Sequence, residues 1–199
     1  MALLISADDL KSTIPGYDPS KSDAVHHESA RLADREYVQA LRQPEYPTVY
    51  LLSGGGASGK TEYMSEYLMS ERAIIMDGTL PSFAGAKIKA QAARKSGKHV
   101  SIHAVWPEDF KIAFSAFLGR DRKYPDQHFY STHSRARAAL LEIAESNLDV
   151  EIAIIESQYE NSKLRFFRYE FETTADQIEF IREGQYTEEE IRKIILEIS

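Results

Sequence analysis

The eight residues Gly54-Gly55-Gly56-Ala57-Ser58-Gly59-Lys60-Thr61 constrain this chain more than any other stretch of it. They fit the G-x-x-x-x-G-K-[ST] pattern at every fixed position. They also lie between an apolar run, Thr48-Val49-Tyr50-Leu51-Leu52, and a segment from Lys60 to Tyr67 that reads as helix. Small residues let successive backbone N–H groups curl around phosphate oxygens, and the dipole of the following helix favours an anion. In such a loop Lys60 reaches the β- and γ-phosphates of a nucleoside triphosphate, ATP or GTP, and the Thr61 hydroxyl takes Mg²⁺. The motif names a ligand. It does not name a reaction.

The same sequence of signals, an apolar run followed directly by a polar or glycine-rich turn, recurs along the chain. Leu3-Leu4-Ile5 leads into Ser6-Ala7-Asp8-Asp9, Ala73-Ile74-Ile75-Met76 into Asp77-Gly78-Thr79, Val100 to Val105 into Trp106-Pro107, and Val150 to Ile155 into Glu156-Ser157. Continuous apolar runs of this length suit strands buried on both faces, as parallel sheets require. Helix-like stretches separate them: Ser22–Leu41, Lys60–Tyr67, Ala84–Ser96, Glu108–Leu118 with Pro107 in its first turn, and Arg135–Ser146. Strand and helix in alternation predict an α/β fold, a P-loop NTPase three-layer sandwich. Its sheet is expected to be mostly parallel and five-stranded or slightly larger. Residues 1–172 would form the main domain, with an Asp-bearing unit over 1–46 and the phosphate-loop core and lid over 47–172. Residues 173–199 read as a helical tail packed on the core, with a final helix capped by Thr187 and begun by Glu188, Glu189 and Glu190.

Composition narrows the class. Hydrophobic residues make up 43% of 199 and charged residues 28%, the balance of a core-forming protein. There is no cysteine, which excludes disulfides and Cys-based metal sites and fits a reducing compartment. The start has no basic n-region, and no segment approaches the roughly 20 apolar residues of a membrane span. A cytoplasmic protein without membrane or nucleic-acid partners is expected, since a formal charge of −7 repels polyanions.

A phosphoryl transferase needs a carboxylate to receive the acceptor's proton and cations to hold charge on the transferred group. Asp8, Asp9 and Asp77 each follow an apolar run directly, which in an open α/β sheet puts them at the carboxyl edge beside the phosphate loop. Asp8 and Asp9 could equally be helix caps before Leu10, and Asp77 a metal-orienting acid. Arg120, Arg122 and Lys123, and further on His133, Arg135 and Arg137, are candidate clamps for the reacting phosphate or solvated charges. Trp106 reads as core rather than as a base-stacking residue, and the neighbours His26 and His27 cannot share a helix face as a metal pair.

These residues together resemble the zeta-toxin kinases. Ser6-Ala7-Asp8-Asp9-Leu10-Lys11, then Ile14-Pro15-Gly16-Tyr17 and Val25-His26-His27-Glu28-Ser29, are similar to that family's N-P-D-E-I-K, L-P-G-Y and V-H-E-E-S blocks. Ile74-Ile75-Met76-Asp77-Gly78-Thr79 is similar to its hydrophobic-[ED]-G-T strand end, and Ala104 to Glu108 with the arginines beyond resembles its lid. The resemblance spans about residues 3 to 170 and implies a role for each matching position. Asp8 would be the general base, with Lys60 and Thr61 the phosphate and Mg²⁺ ligands. Asp77, Thr79 and Glu28 would bind substrate. Arg120 or Arg122 would be the first lid arginine, and Lys123 or Arg135 a second cation. Two departures stand out. The Asp-bearing unit precedes the phosphate loop, as if two βα units had exchanged places, and Pro81 stands where the family often carries an arginine. With the phosphate-loop strand central, the order that keeps the active edge together has the Asp77 strand beside it and the Asp8 strand outside that.

The resemblance implies transfer of a γ-phosphate to a hydroxyl of a small molecule, with UDP-N-acetylglucosamine as acceptor, in a toxin held off by a small antitoxin protein. A kinase for another metabolite, nucleotide or antibiotic, and a nucleotide-dependent switch without transfer chemistry, are the alternatives.

Overall fold

The structure, a computed structural model, describes residues 1–121, 123–160 and 163–197. Its centre is one six-stranded sheet in the order β1-β3-β2-β4-β5-β6. The strands are β1 (Leu3–Ser6), β2 (Thr48–Ser53), β3 (Ala73–Asp77), β4 (His99–Pro107), β5 (Glu151–Glu160) and β6 (Lys163–Arg168). The first five run parallel and β6 runs antiparallel to β5. The phosphate-loop strand is internal, the Asp77 strand is its neighbour and the Asp8 strand lies beyond, the order expected from the sequence. In β4 every residue after His99 is buried. Ile74, Ile75, Ile102 and Ile154 are fully enclosed, as strands covered on both faces must be.

One face carries α2 (His26–Ala40), α4 (Phe83–Lys95), α6 (Asp126–Glu145) and α7 (Thr174–Glu183), which pack Tyr37, Ala90, Leu140 and Ile181 into the larger core. On the other face lies α3 (Lys60–Tyr63), continued by a π turn over Met64–Leu68, with Tyr63, Met64 and Leu68 against Ile75, Val105 and Ile155. A third cluster joins α5 (Phe110–Leu118), α6 and α8 (Glu188–Leu196) through Phe110, Phe117, Phe129 and Ile191. α1 (Ala7–Leu10) is a single turn leading from β1 into a 3₁₀ turn, Lys11–Thr13.

Several elements differ from the sequence reading. The edge strand β6 was not expected. Its residues alternate between partial burial and exposure, so it lacks an apolar run and exists because β5 offers it a partner. α7 falls within the expected helical tail but was not read as a helix of its own; it begins at a capping box in which Thr173 and Asp176 bond each other's backbone N–H groups. Pro107 ends β4 rather than entering the next helix, because the Asp109 side chain accepts from Lys111 N and Ile112 N and so fixes the start of α5. α6 starts nine residues before the expected Arg135. Its first turns are poor in strong helix formers, and burial of Phe129, Tyr130, Thr132 and His133 holds them helical.

Leu140 is wholly enclosed between α6 and the sheet. Leu140→Ala is expected to lower unfolding stability by about 3 kcal/mol in denaturant titration. His103, buried in β4, shares a 2.9 Å hydrogen bond between its Nδ1 and the Tyr63 hydroxyl, and burial pushes its pKa down to about 4. The unfolded chain therefore takes up that proton first. His103 should contribute a stability that is complete above pH about 6.5 and lost at about 1.4 kcal/mol per unit as pH falls towards 4. Thermal melts of His103→Gln across that window should have a flatter pH dependence than wild type.

Candidate active site

Parallel pairing brings three chain crossings to one edge. Ser6 at the end of β1 is in register with Asp77 at the end of β3, and Leu51 in β2 with Met76. Gly54 N–H then donates to Thr79 O at 3.3 Å, which joins the start of the phosphate loop to the turn after β3. α1 begins here too. Its N-cap is Ser6, whose Oγ accepts from Asp9 N at 3.4 Å, so Asp8 and Asp9 are first-turn residues rather than caps. Asp8 is partly exposed and its Oδ1 lies 2.9 Å from Lys11 Nζ.

The loop between β2 and α3 has the tight curvature its glycines permit. Gly54 has φ +138°, and a Cβ there would fall 2.4 Å from Val105 O. A Cβ on Gly55 would fall 2.2 Å from the His133 ring. Ala57 (φ +58°) in the loop and Leu80 (φ +50°) beyond Thr79 adopt left-handed conformations that cost a non-glycine residue about 1 kcal/mol or more. Among the described residues these are the non-glycine positions with positive φ, and both lie at this edge.

Lys60 Nζ folds back and donates to Gly54 O at 2.8 Å, Gly55 O at 2.7 Å and Ser58 Oγ at 3.3 Å. Its pKa is lowered to about 8, first by burial and then by the Arg120 guanidinium, against the pull of Asp77 and Asp8. Asp77 is shifted the other way. Burial raises its pKa, and Asp8 and Asp9 add to the rise while Lys60 and a 3.4 Å hydrogen bond from Ser6 Oγ oppose it. Lys60 thus sits among the charges of Asp77, Arg120 and Asp8, and Asp77 in turn feels Lys60 and Asp8. Two carboxylates, an ammonium and a guanidinium near a glycine-rich turn have the chemistry to bind a polyphosphate, accept a proton and neutralise charge.

The other expected residues are placed less uniformly. Thr61 is exposed on the first turn of α3, open to a metal ion. Among the described residues no three His, Cys, Asp or Glu side chains cluster to hold a metal. This donor set suits Mg²⁺, which takes most of its ligands from phosphates and water. Thr79 contributes its backbone carbonyl to the Gly54 N–H bond, and Glu28 is exposed in the first turn of α2, which packs on α1 and β1. Arg120 is exposed after α5, and Arg122 lies outside the described residues. Lys123 donates its ammonium to Leu118 O at 3.0 Å, closing the end of α5 instead of reaching the loop, and Arg135 is exposed on α6.

Sequence reasoning missed the residues that hold the loop from outside. Thr132 Oγ1 accepts from Gly56 N at 3.2 Å, His133 Nε2 donates to Gly56 O at 2.9 Å, and Ser157 Oγ donates to Ser58 O at 2.9 Å. His133 is not the cation its basic neighbours suggest: burial pushes its pKa down to about 3, so the ring is neutral. Arg137 is likewise no phosphate clamp. Its guanidinium is buried 4.1 Å over the Trp106 ring and donates to Gly184 O at 2.6 Å, holding the turn after α7 to β4. Trp106 itself is core, stacked on Phe180. No local signal in the sequence marks Thr132 or Ser157, and His133 was marked only as a candidate clamp, because each acts across 76 to 99 residues of chain.

No family profile matches this chain, and no curated protein matches it in sequence. In three dimensions it is similar to a chain of the crystal structure of the AvrRxo1-ORF1:ORF2 complex in its native form, at 13% identity over 85% of this chain and 75% of that one, with a TM-score of 0.50. At that identity the likeness is one of fold alone: an α/β sandwich with a mostly parallel sheet and helices on both faces.

Proposed function

We propose that this chain is a phosphotransferase of the zeta-toxin type, moving the γ-phosphate of ATP or GTP to a hydroxyl of a small molecule. One observation carries the reading: the Asp8 carboxylate, from a strand-helix unit separate from the phosphate loop, shares a sheet edge and an electrostatic neighbourhood with Lys60, Asp77 and Arg120. Lys60 would leave the carbonyls of Gly54 and Gly55 for the β- and γ-phosphates, and Asp8 would accept the proton of the attacking hydroxyl. Arg120 would draw charge from the transferring group. Thr61 would hold Mg²⁺, which supplies charge neutralisation between the phosphates. Asp77, Thr79 and Glu28 are the proposed acceptor-side residues.

UDP-N-acetylglucosamine is the acceptor we propose first, on the resemblance of the Asp8 and Asp77 blocks. The structural neighbour was solved as a complex of two proteins, which supports the proposal that a small antitoxin covers the nucleotide site here. Among the described residues no helix is long and apolar enough to cross a membrane.

Incubation with ATP, Mg²⁺ and UDP-N-acetylglucosamine, and in parallel with a cell metabolite extract, should yield a product heavier by one phosphate. ATP binding with no phosphorylated product from either would refute transfer and leave the nucleotide-switch reading. Asp8→Asn is expected to slow transfer on the order of 10³-fold while nucleotide affinity, measured by calorimetry, changes only a few-fold. Because the Lys60 pKa is lowered to about 8, the ammonium is present at neutral pH and is lost as pH rises through that value. Nucleotide affinity should accordingly weaken above pH about 8, and Lys60→Met should abolish that dependence along with most of the binding.

A further inference from the structure

We propose that Lys11 is a positioning residue, one that fixes the Asp8 carboxylate and ties it to the connection between α5 and α6. The inference rests on the reading of Asp8 as the base. Lys11 is fully buried although it sits in a 3₁₀ turn at the surface end of α1. Its ammonium lies 2.9 Å from Asp8 Oδ1, donates to the Tyr124 hydroxyl, and sits 4.9 Å from the centroid of the Tyr124 ring. Tyr124 stacks on His128 at 4.3 Å, and a second tie runs from Lys123 N to Pro19 O at 3.4 Å. The unit that carries the base is thus fastened, across 113 residues of chain, to the segment that follows Arg120.

A lysine needs no burial to pair with an aspartate three residues back; exposed i,i+3 pairs do so and contribute little. Burying an ammonium costs several kcal/mol unless its donors are satisfied. Here Asp8 and the Tyr124 hydroxyl take two of its three donors and the Tyr124 ring lies close by, so the buried position is explained by the bridge to a distant segment rather than by the turn. Burial opposes the charge on Lys11, but its bonds to Tyr124 and Asp8 outweigh it and the pKa is raised, so the bridge stays charged at neutral pH. The charges that act on Asp8 include Lys11 from its own turn, Lys60 from α3 and Asp77 from β3. Removing Lys11 would take away the cation paired directly with Asp8, leave the charge of Asp77 nearby, and make the Asp8 anion harder to hold. Phosphoryl transfer through a loose transition state asks more for a well-placed carboxylate than for a strong base, so an ion-paired aspartate suits it.

The test compares Lys11→Met, Lys11→Arg and Tyr124→Phe. If wild type transfers phosphate, Lys11→Met should lower kcat on the order of 100-fold, leave KM for ATP within about 2-fold, and move the acid limb of the pH–rate profile to higher pH. Lys11→Arg should return that limb towards wild type. Wild-type kcat and an unmoved limb in Lys11→Met would overturn the proposal while leaving the transferase reading intact. A readout independent of activity is amide hydrogen exchange over residues 123–128 in nucleotide-free protein, expected to quicken in Lys11→Met and, to a lesser degree, in Tyr124→Phe. Unchanged exchange in both variants would overturn the tie even if no acceptor is ever found. Absence of transfer in wild type would count against the function alone. Should Lys11→Met fail to fold, Tyr124→Phe, which keeps the Asp8 pair, carries the exchange test.

Discussion

β3 lies between β1 and β2 and pairs with both in parallel register. That one insertion sets the geometry of the rim. It places Asp77 level with Ser6, so that Asp8 leaves the sheet at the height where the Thr79 carbonyl meets Gly54 N–H and the phosphate loop begins. Parallel pairing is what makes this productive, since every strand of a parallel set ends at the same edge and delivers its following residues there. An antiparallel β3 would send Asp77 to the opposite end of the sheet, away from Lys60.

The loop is supported from behind as firmly as it is shaped from within. Thr132 and His133 of α6 bond both backbone groups of Gly56, and Ser157 of β5 bonds Ser58. A neutral imidazole adds no further positive charge beside Lys60 and Arg120, and burial together with these two cations opposes its protonation. The same α6 carries Arg137 against Trp106, so the helix that steadies the loop also anchors the turn between α7 and α8. The positive φ values of Ala57 and Leu80 sit in this overdetermined region, where surrounding bonds can hold a strained backbone.

The order of the units along the chain has a spatial consequence. Because the Asp8 unit comes first in the chain, its turn is covalently remote from both the loop and the α5–α6 connection, and noncovalent ties must hold it in place. Ser6 to Asp77, Lys11 to Tyr124 and Lys123 to Pro19 are such ties. They stand where chain continuity would act if the Asp8 unit came directly after the phosphate loop.

The amino-acid sequence alone determined the glycine-rich loop after β2, the positions of β1 to β5, and the acids that follow β1 and β3. Each is written locally: as an unbroken apolar run, as a glycine pattern, or as the polar residue that ends a strand. It did not determine β6, α7, the early start of α6, or the roles of Lys11, Thr132, His133 and Ser157. The four side-chain roles depend on partners 76 to 113 residues away, β6 depends on the strand beside it, and a half-exposed edge strand or a buried lysine has no local signature. Only the tertiary structure could decide that His133 is a neutral support and that Lys11 is enclosed, because desolvation and hydrogen bonding, not residue type, set the charge and place of an ionisable group.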